Sequence, residues 1–303
     1  MNSILVLGGA GFVGRSLIKK LIENKFRVKA LVYKKDIQYD IEKFNGDILS
    51  PGILNEHIEN GDIIVNLIGQ LTGSDIKFSD LNIKGGLNLL QSCLNKKNIK
   101  IILISSLNVY GENLKRASKE LDLPKPTTIY GNIKLLTEKI YQNYSEVHNR
   151  DVTVLRLANL YGPEKKSGPI ANMISSLKNK KYFSAYNKGK QLRDFIFIED
   201  ATDGIIAAIK NAKPGFQIFN ISTGKRYTIK FVAKLIEKIS KKKLRILLNP
   251  KIPDERCIWA NNLKAKTVLK FSPKISLEKG LKFTIDYYRQ KEDSRMENGS
   301  NKN

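Results

Sequence analysis

The sequence predicts an α/β protein, a doubly wound parallel sheet carrying a smaller mixed α/β lobe, and three observations lead there. Apolar runs of strand length alternate strictly with helical patterns as far as Leu157. The first run, Ile4 to Leu7, passes directly into GGAGFVG at Gly8 to Gly14. After Tyr161 the alternation gives way to shorter elements separated by Gly162, Pro163, Gly168 and Pro169. Strands joined by crossover helices close into a parallel sheet covered on both faces, whereas the broken pattern suits a separate, smaller lobe.

The glycine stretch reads as a phosphate cradle rather than an ordinary turn. Gly8, Gly11 and Gly14 stand where a strand must turn sharply, where an anion must approach the backbone, and where a helix must lie close on the sheet. Phe12 and Val13 complete the cradle, and the helix beyond carries Leu17, Ile18, Leu21 and Ile22 on one face, with its N-terminal amides aimed at the anion. Further strands are expected at residues 27–32, 44–48, 62–68, 100–105 and 152–157; the run at 62–68 is apolar enough to be buried on both faces. Helices are expected at residues 77–97 and 130–147, the first despite Gly85 and Gly86, each costing about 1 kcal/mol relative to Ala unless close packing demands them.

Past Tyr161, helices are expected near residues 169–179, 199–211, 228–240, 261–269 and 276–289, and short strands near 193–197, 217–221 and 244–248. The domain division is then 1–165 for a dinucleotide-binding Rossmann domain and 166–290 for a substrate-binding lobe, some of whose elements pack back on the first. The segment 291–303 is polar, without periodicity, and is expected to be disordered.

A chain of 303 residues with 41% hydrophobic content can bury a large core. It holds no run of about 18 apolar residues, so no membrane span is expected, and with no charged leader a cytoplasmic location is expected. Cys93 and Cys257 lack metal-ligand spacing, which predicts plain thiols and no metal site. The net charge of +24 is spread along the chain, with Lys96, Lys97 and Lys241 to Lys243 near helix ends. Without a recognition module or interleaved aromatics, nucleic acid is not the expected partner.

Chemistry enters with Tyr130 and Lys134, four residues apart and therefore on one helix face. A free phenol titrates near 10, but a neighbouring ammonium is expected to favour the phenolate, so that Tyr130 exchanges a proton with a substrate hydroxyl. Ser106, at the end of the strand 100–105, is placed to hold the same oxygen, at the strand ends where ligands bind in this architecture.

Together these stretches resemble the extended short-chain dehydrogenases, specifically the NAD-dependent epimerase/dehydratase family acting on nucleotide sugars. The resemblance covers roughly residues 3–289. It rests on GGAGFVG, GDI at Gly46 to Ile48, NIKGGLNLL from Asn82, SSLNVYG from Ser105, YGNIK, RLANLYGP from Arg156, RDFIFIEDATDGI from Arg193 and FNISTG from Phe219. It implies hydride transfer at a sugar carbon, with Tyr130 as acid and base, Lys134 tuning it and holding the nicotinamide ribose, and Ser106 assisting. It puts Asp47 and Ile48 beside the adenine, and Asn159 and Arg193 against the substrate, Arg193 gripping the diphosphate. A surface ion pair between Arg193 and Asp194 is the alternative. A second phosphate-binding arginine of the family is replaced by Lys251, with Arg256 close by. A homodimer through the helices at 78–96 and 130–147 is implied as well.

Three departures bear on the activity. Where many members place an acid after the second strand, this chain has Val32 and Tyr33 followed by Lys34 and Lys35; these lean toward NADP, while Asp36 leaves NAD open. Where the family's 4,6-dehydratases carry an Asp-Glu pair, it has Leu107 and Asn108, which sets dehydration below the other activities. The fourth strand ends NLIGQ, as in non-catalytic relatives that serve as accessory subunits of respiratory complexes. The first expectation is an epimerase that oxidises and re-reduces a sugar carbon, C4. The alternatives are an NADPH-dependent 4-ketoreductase and a non-catalytic dinucleotide-binding subunit.

Overall fold

The computed structural model describes residues 3–69, 75–112, 116–179, 181–249 and 257–300. The chain runs β1 (Ile4–Leu7), α1 (Phe12–Glu23), β2 (Val28–Val32), β3 (Glu42–Asn45), β4 (Ile63–Asn66), α2 (Asp75–Asn82), α3 (Lys84–Cys93), β5 (Lys100–Ser106), α4 (Ile129–His148), β6 (Asp151–Leu157) and β7 (Asn159–Tyr161). It continues through α5 (Pro169–Lys178), β8 (Phe183–Tyr186), β9 (Leu192–Arg193), β10 (Phe195–Phe197), α6 (Ile198–Asn211), β11 (Phe216–Ile221), β12 (Tyr227–Thr228), α7 (Ile229–Ser240), β13 (Ile246–Asn249), β14 (Cys257–Ile258) and α8 (Leu277–Ser300).

Seven parallel strands in the order β11-β6-β5-β4-β1-β2-β3 form the doubly wound sheet. The six expected strands are all present, and β11 is a seventh. Residues 217–221, expected in the smaller lobe, pair along β6 from Phe216↔Val152 to Ile221↔Leu157. They do so because α6 packs on α1 and returns the chain to the open edge of the sheet. The strand order reverses between β1 and β4, and a Cβ on Gly8 would stand 3.2 Å from the Leu67 carbonyl carbon, so the two strand ends touch where a ligand site is expected.

One face of the sheet is covered by α1 and α6 over Leu17, Ile18, Ile205 and Ile209; the other carries α3 and α4 over Leu89, Leu90 and Tyr141. The helix expected at 77–97 is two, α2 and α3, turning at Ile83. Gly85 and Gly86 are explained by contact: a Cβ on Gly85 would lie 3.1 Å from Ile48, and one on Gly86 3.2 Å from the Tyr141 ring.

The smaller lobe gathers Met173, Phe195, Phe197, Val232, Ile236 and Leu281 into its own core. The segment from 291, expected to lack regular structure, continues α8 to Ser300; its Lys, Glu, Arg and Met residues favour a helix and no proline interrupts it. Residues 261–269 hold a π-helical turn at Ala265–Leu269. Among the described residues no helix is long and apolar enough to cross a membrane, and both cysteines are buried free thiols.

The lobe's closest joint is at Gly280 in α8, where a Cβ would stand 2.3 Å from the Tyr161 hydroxyl and 2.9 Å from the Phe197 ring. Both rings are fully buried and cannot retreat. Gly280→Ala is therefore expected to cost about 1–3 kcal/mol by overpacking, despite alanine's better helix propensity. Urea denaturation of the two proteins measures the difference, and an unchanged midpoint would contradict the contact.

Candidate active site

A cleft of about 580 Å³ opens at the carboxyl ends of β1, β4 and β5. Gly8, Gly11, Phe12, Val13 and Gly14 line its floor, Ser106, Tyr130 and Lys134 one wall, and Glu164 to Pro169 the opposite rim. The floor is possible only with glycine: a Cβ on Gly14 would meet the Gly8 and Gly9 carbonyl oxygens at 2.4 and 2.5 Å, and Gly8 has φ +86°. Gly11 caps α1 without a side-chain acceptor, and no acid stands in the first turn, so the helix amides remain available to an anion. This cradle fits a dinucleotide pyrophosphate.

The wall is built by α4 starting hard against the end of β5. Thr128 caps the helix by accepting from the Gly131 amide at 3.0 Å, and a Cβ on Gly131 would lie 2.7 Å from the Asn108 carbonyl oxygen. That approach brings Tyr130 beside Ser106 on the same wall of the cleft. The Ser106 Oγ accepts from the Asn108 amide at 3.2 Å and from Asn108 Nδ2 at 2.9 Å, which leaves its own hydrogen for the Tyr130 oxygen. Asn108 thus orients the serine from a position noted in the sequence only for lacking a carboxylate. Phe78 stacks on Tyr130 with centroids 5.1 Å apart.

Lys134 is buried, donates to the Ile104 carbonyl at 3.1 Å and lies 5.9 Å from the Phe78 ring centroid. Burial brings its ammonium down from the usual 10.5 to about 8, opposed by Glu138 one turn along α4. The Tyr130 phenol is raised, by burial foremost, with only the Ser106 hydrogen bond acting against it. The expected lowering of Tyr130 by Lys134 is therefore corrected: the loss of water penalises phenolate and ammonium alike, and the influences on the phenol are burial and Ser106, not Lys134.

Behind this wall Arg156 and Glu138, both about 2% exposed, pair through Nη2–Oε2 at 2.6 Å, with Nε at 3.1 and 3.2 Å from the two carboxylate oxygens. Ser105 donates to the same carboxylate, and the guanidinium lies 4.7 Å over the Tyr110 ring. Sequence reasoning passed over this pair, although the four-residue step from Lys134 to Glu138 was a signal.

The other expected residues divide. Asn159 lines the cleft, its backbone N and Nδ2 donating to the Asp194 carbonyl at 2.9 and 3.1 Å. Lys35 lines it as well, whereas Lys34 takes φ +59° and lies 4.9 Å over the Tyr33 ring, outside the wall. Asp47 accepts from the Leu49 amide at 3.0 Å and Ile48 is packed in the core; neither lines the cleft.

Arg193 is buried on β9 between β12 and β14, with Nη1 donating to the Leu192 carbonyl at 2.9 Å, outside the lining of this cleft. Its surface pairing with Asp194 does not occur. Asp194 is fully buried and accepts from Thr223 N at 3.0 Å, Thr223 Oγ1 at 2.6 Å and Gly224 N at 2.9 Å, and burial pushes it up to about 7. Lys251 and Arg256 lie outside the described residues.

Known proteins resemble this chain in sequence and in fold. The model of the NAD dependent epimerase/dehydratase family matches residues 4–222. A UDP-glucuronate 4-epimerase of Thermodesulfobacterium geofontis is 31% identical over 216 residues, 70% of this chain and 66% of that protein, just under two thirds of its length. A UDP-N-acetyl-alpha-D-glucosaminuronate decarboxylase of Bacillus cytotoxicus is 29% identical over 95% of this chain and 98% of its own. The crystal structure of UDP-glucuronic acid 4-epimerase from Bacillus cereus, in complex with UDP-glucuronic acid and NAD, superposes with a TM-score of 0.86 at 28% identity, covering 95% of this chain and 99% of that one.

The lowered Lys134 makes a stability prediction. Between pH 8 and 10.5 the unfolded chain holds a proton that the folded one has released, so this group's contribution to stability rises with pH across that window, and its burial penalty is complete below pH 8. In Lys134→Met this dependence is expected to vanish. The wild-type curve should gain on the variant's by up to about 3 kcal/mol from pH 7 to 10; urea titrations at four pH values would record it, and a constant gap would refute it.

Proposed function

We propose that this chain, which belongs to the NAD dependent epimerase/dehydratase family, is an NAD-dependent epimerase that inverts C4 of a nucleotide-activated sugar. The observation that carries the reading is the convergence of Ser106, Tyr130 and Lys134 on one cleft whose floor is the glycine cradle. The Thermodesulfobacterium and Bacillus cereus relatives make UDP-glucuronate the first substrate to try.

When bound, NAD would supply a hydride acceptor, and inversion would require the hydride to return to the opposite face of the same carbon. Tyr130, as the phenolate, takes the proton of the C4 hydroxyl as the carbon is oxidised and, as the phenol, gives it back on reduction, with Ser106 holding the same oxygen. Lys134, with one hydrogen committed to Ile104, has others for a ribose hydroxyl and stabilises charge on the tyrosine oxygen. The glycine cradle and the α1 amides hold the pyrophosphate; Asn159 contacts the sugar nucleotide, and Arg193 with Lys251 and Arg256 meets its diphosphate. The division into a dinucleotide domain, 1–165, and a substrate lobe, 166–290, belongs to this proposal, as does action in the cytoplasm.

Loss of Lys34 from the cleft wall weakens the case for NADP and with it the reductase alternative. Exposed Leu87 on α3 and Leu136 on α4 supply apolar surface for a homodimer through these helices. Light scattering at micromolar concentration should give twice the chain mass, and a monomer would remove that element.

Purified protein is expected to carry NAD⁺ and to convert one of a panel of UDP-, dTDP-, GDP- and CDP-sugars to its C4 epimer, read by mass spectrometry and chiral sugar analysis. Tyr130→Phe should lower turnover about 10²–10⁴-fold while still binding NAD⁺. Firm NAD⁺ binding without turnover of any sugar would make the chain a non-catalytic subunit. Empty protein that prefers NADPH would make it a reductase.

A further inference from the structure

The rim opposite the catalytic wall carries a cation that no acid among the described residues balances. Lys165, in the segment between β7 and α5, is half-buried and lines the cleft, with Nζ 5.1 Å from the ring centroid of Phe12, the first residue of α1. Directly beneath is the positive end of α1, uncapped by any side chain and with no acid in its first turn. Burial lowers the Lys165 ammonium, with no carboxylate acting against it.

The one acid of the rim is already engaged. Glu164 accepts from Arg15 Nη2 through Oε2 at 2.8 Å and from the Tyr287 hydroxyl through Oε1 at 2.8 Å, and it also faces Lys291. Arg15 in turn donates from Nη1 to the Ala10 carbonyl at 2.7 Å. Among the described residues no acid stands within ion-pair distance of Lys165. Lys35 and Lys166 line the same cleft. An ammonium withdrawn from water, beside a helix's positive pole and other cations, is unfavourable unless an anion completes the group.

Lys165 is also held in place rather than left to swing. Its amide donates to the Gly162 carbonyl at 3.3 Å, its carbonyl accepts from the Tyr288 hydroxyl at 3.5 Å, and Glu164 before it takes φ +66°. The Arg15–Glu164–Tyr287 bridge thus ties the rim to α1 on one side and α8 on the other, with Lys165 beside Phe12 in the cleft that the glycine turn also lines.

We infer that Lys165 binds the pyrophosphate of the dinucleotide from above, opposite the α1 amides that hold it from below. The inference rests on the reading of this cleft as the dinucleotide site. Two negative charges placed between Lys165 and the helix end replace a repulsion with two charge-assisted contacts. The competing role for Lys165 is a surface cation resting on Phe12 with no ligand.

Isothermal titration of the full chain with NAD⁺, ADP and adenosine separates these. Lys165→Gln, which keeps a stem over Phe12, is expected to weaken NAD⁺ and ADP at least tenfold, leave adenosine within twofold, and flatten the salt dependence of NAD⁺ binding. Lys165→Arg should restore all three. The thermal midpoint of each variant shows whether it is folded; should Lys165→Gln not fold, Lys165→Met replaces it, with the same expectations. Unchanged NAD⁺ and ADP affinities in a folded variant overturn the inference, as does an equal loss for adenosine, which would mean that the rim had collapsed. Wild-type protein that binds neither NAD⁺ nor ADP would instead overturn the dinucleotide reading itself.

Discussion

Glu138 and Arg156 meet in the interior between α4 and the sheet, and through them three elements are held in one arrangement. Glu138 comes from α4, Arg156 from β6, and Ser105, the third member, from the end of β5. Tyr130 and Lys134 ride on the same helix as Glu138, and Ser106 follows Ser105, so the pair sets the distance between the two halves of that cleft wall. A buried ion pair contributes little net stability, because desolvating both partners offsets most of their attraction; losing either partner, however, costs about 3–5 kcal/mol. Its value here is registry. Arg156 Nη1 has no hydrogen-bond partner among the described residues, and the guanidinium lies 4.7 Å from the Tyr110 ring centroid.

The same dryness that makes this pair demanding sets the character of the site. At Tyr130 and Lys134 the dominant influence on both groups is the absence of water. It raises the phenol, away from neutral pH, and lowers the ammonium toward it, so the two move apart and each group is pressed toward its uncharged form. Asp194 obeys the same rule from another direction. Donors from Thr223, Gly224 and Ala260 favour its carboxylate, yet full burial raises it to about 7. Between pH 4 and 7 the folded chain holds a proton there that the unfolded one has lost, so this group's contribution to stability declines as pH rises through that range.

The parallel sheet could be read in advance because alternating periods and the glycine turn are local signals, carried by Ile4 to Gly14 and by near-continuous apolar strands. What escaped depended on contacts far apart in sequence. Residues 216–221 look like any short strand, and only the return of α6 onto α1 decides which sheet they join. An Arg193–Asp194 ion pair is the alternative to a diphosphate grip in the sequence, yet Asp194 is taken up by Thr223 and Gly224, 29 and 30 residues on, while Arg193 is buried on β9. Lys34 and Lys35 are equal as letters; the left-handed backbone at Lys34 admits only the second to the cleft. Asn108 drew notice for the carboxylate it was not, while its amide was what the serine needed.

The bridge from Arg15 through Glu164 to Tyr287 joins residues 149 and then 123 positions apart. A ribosome releases these residues in that order, and the parallel strands through β6 can assemble while the later ones are still unmade. The glycine turn therefore exists as an open shelf for most of the time the chain is being made, and gains its rim only when α8 arrives. A dinucleotide present in the surroundings would meet the shelf before the rim is fastened, so loading during synthesis and exchange afterwards would be separate events with different barriers.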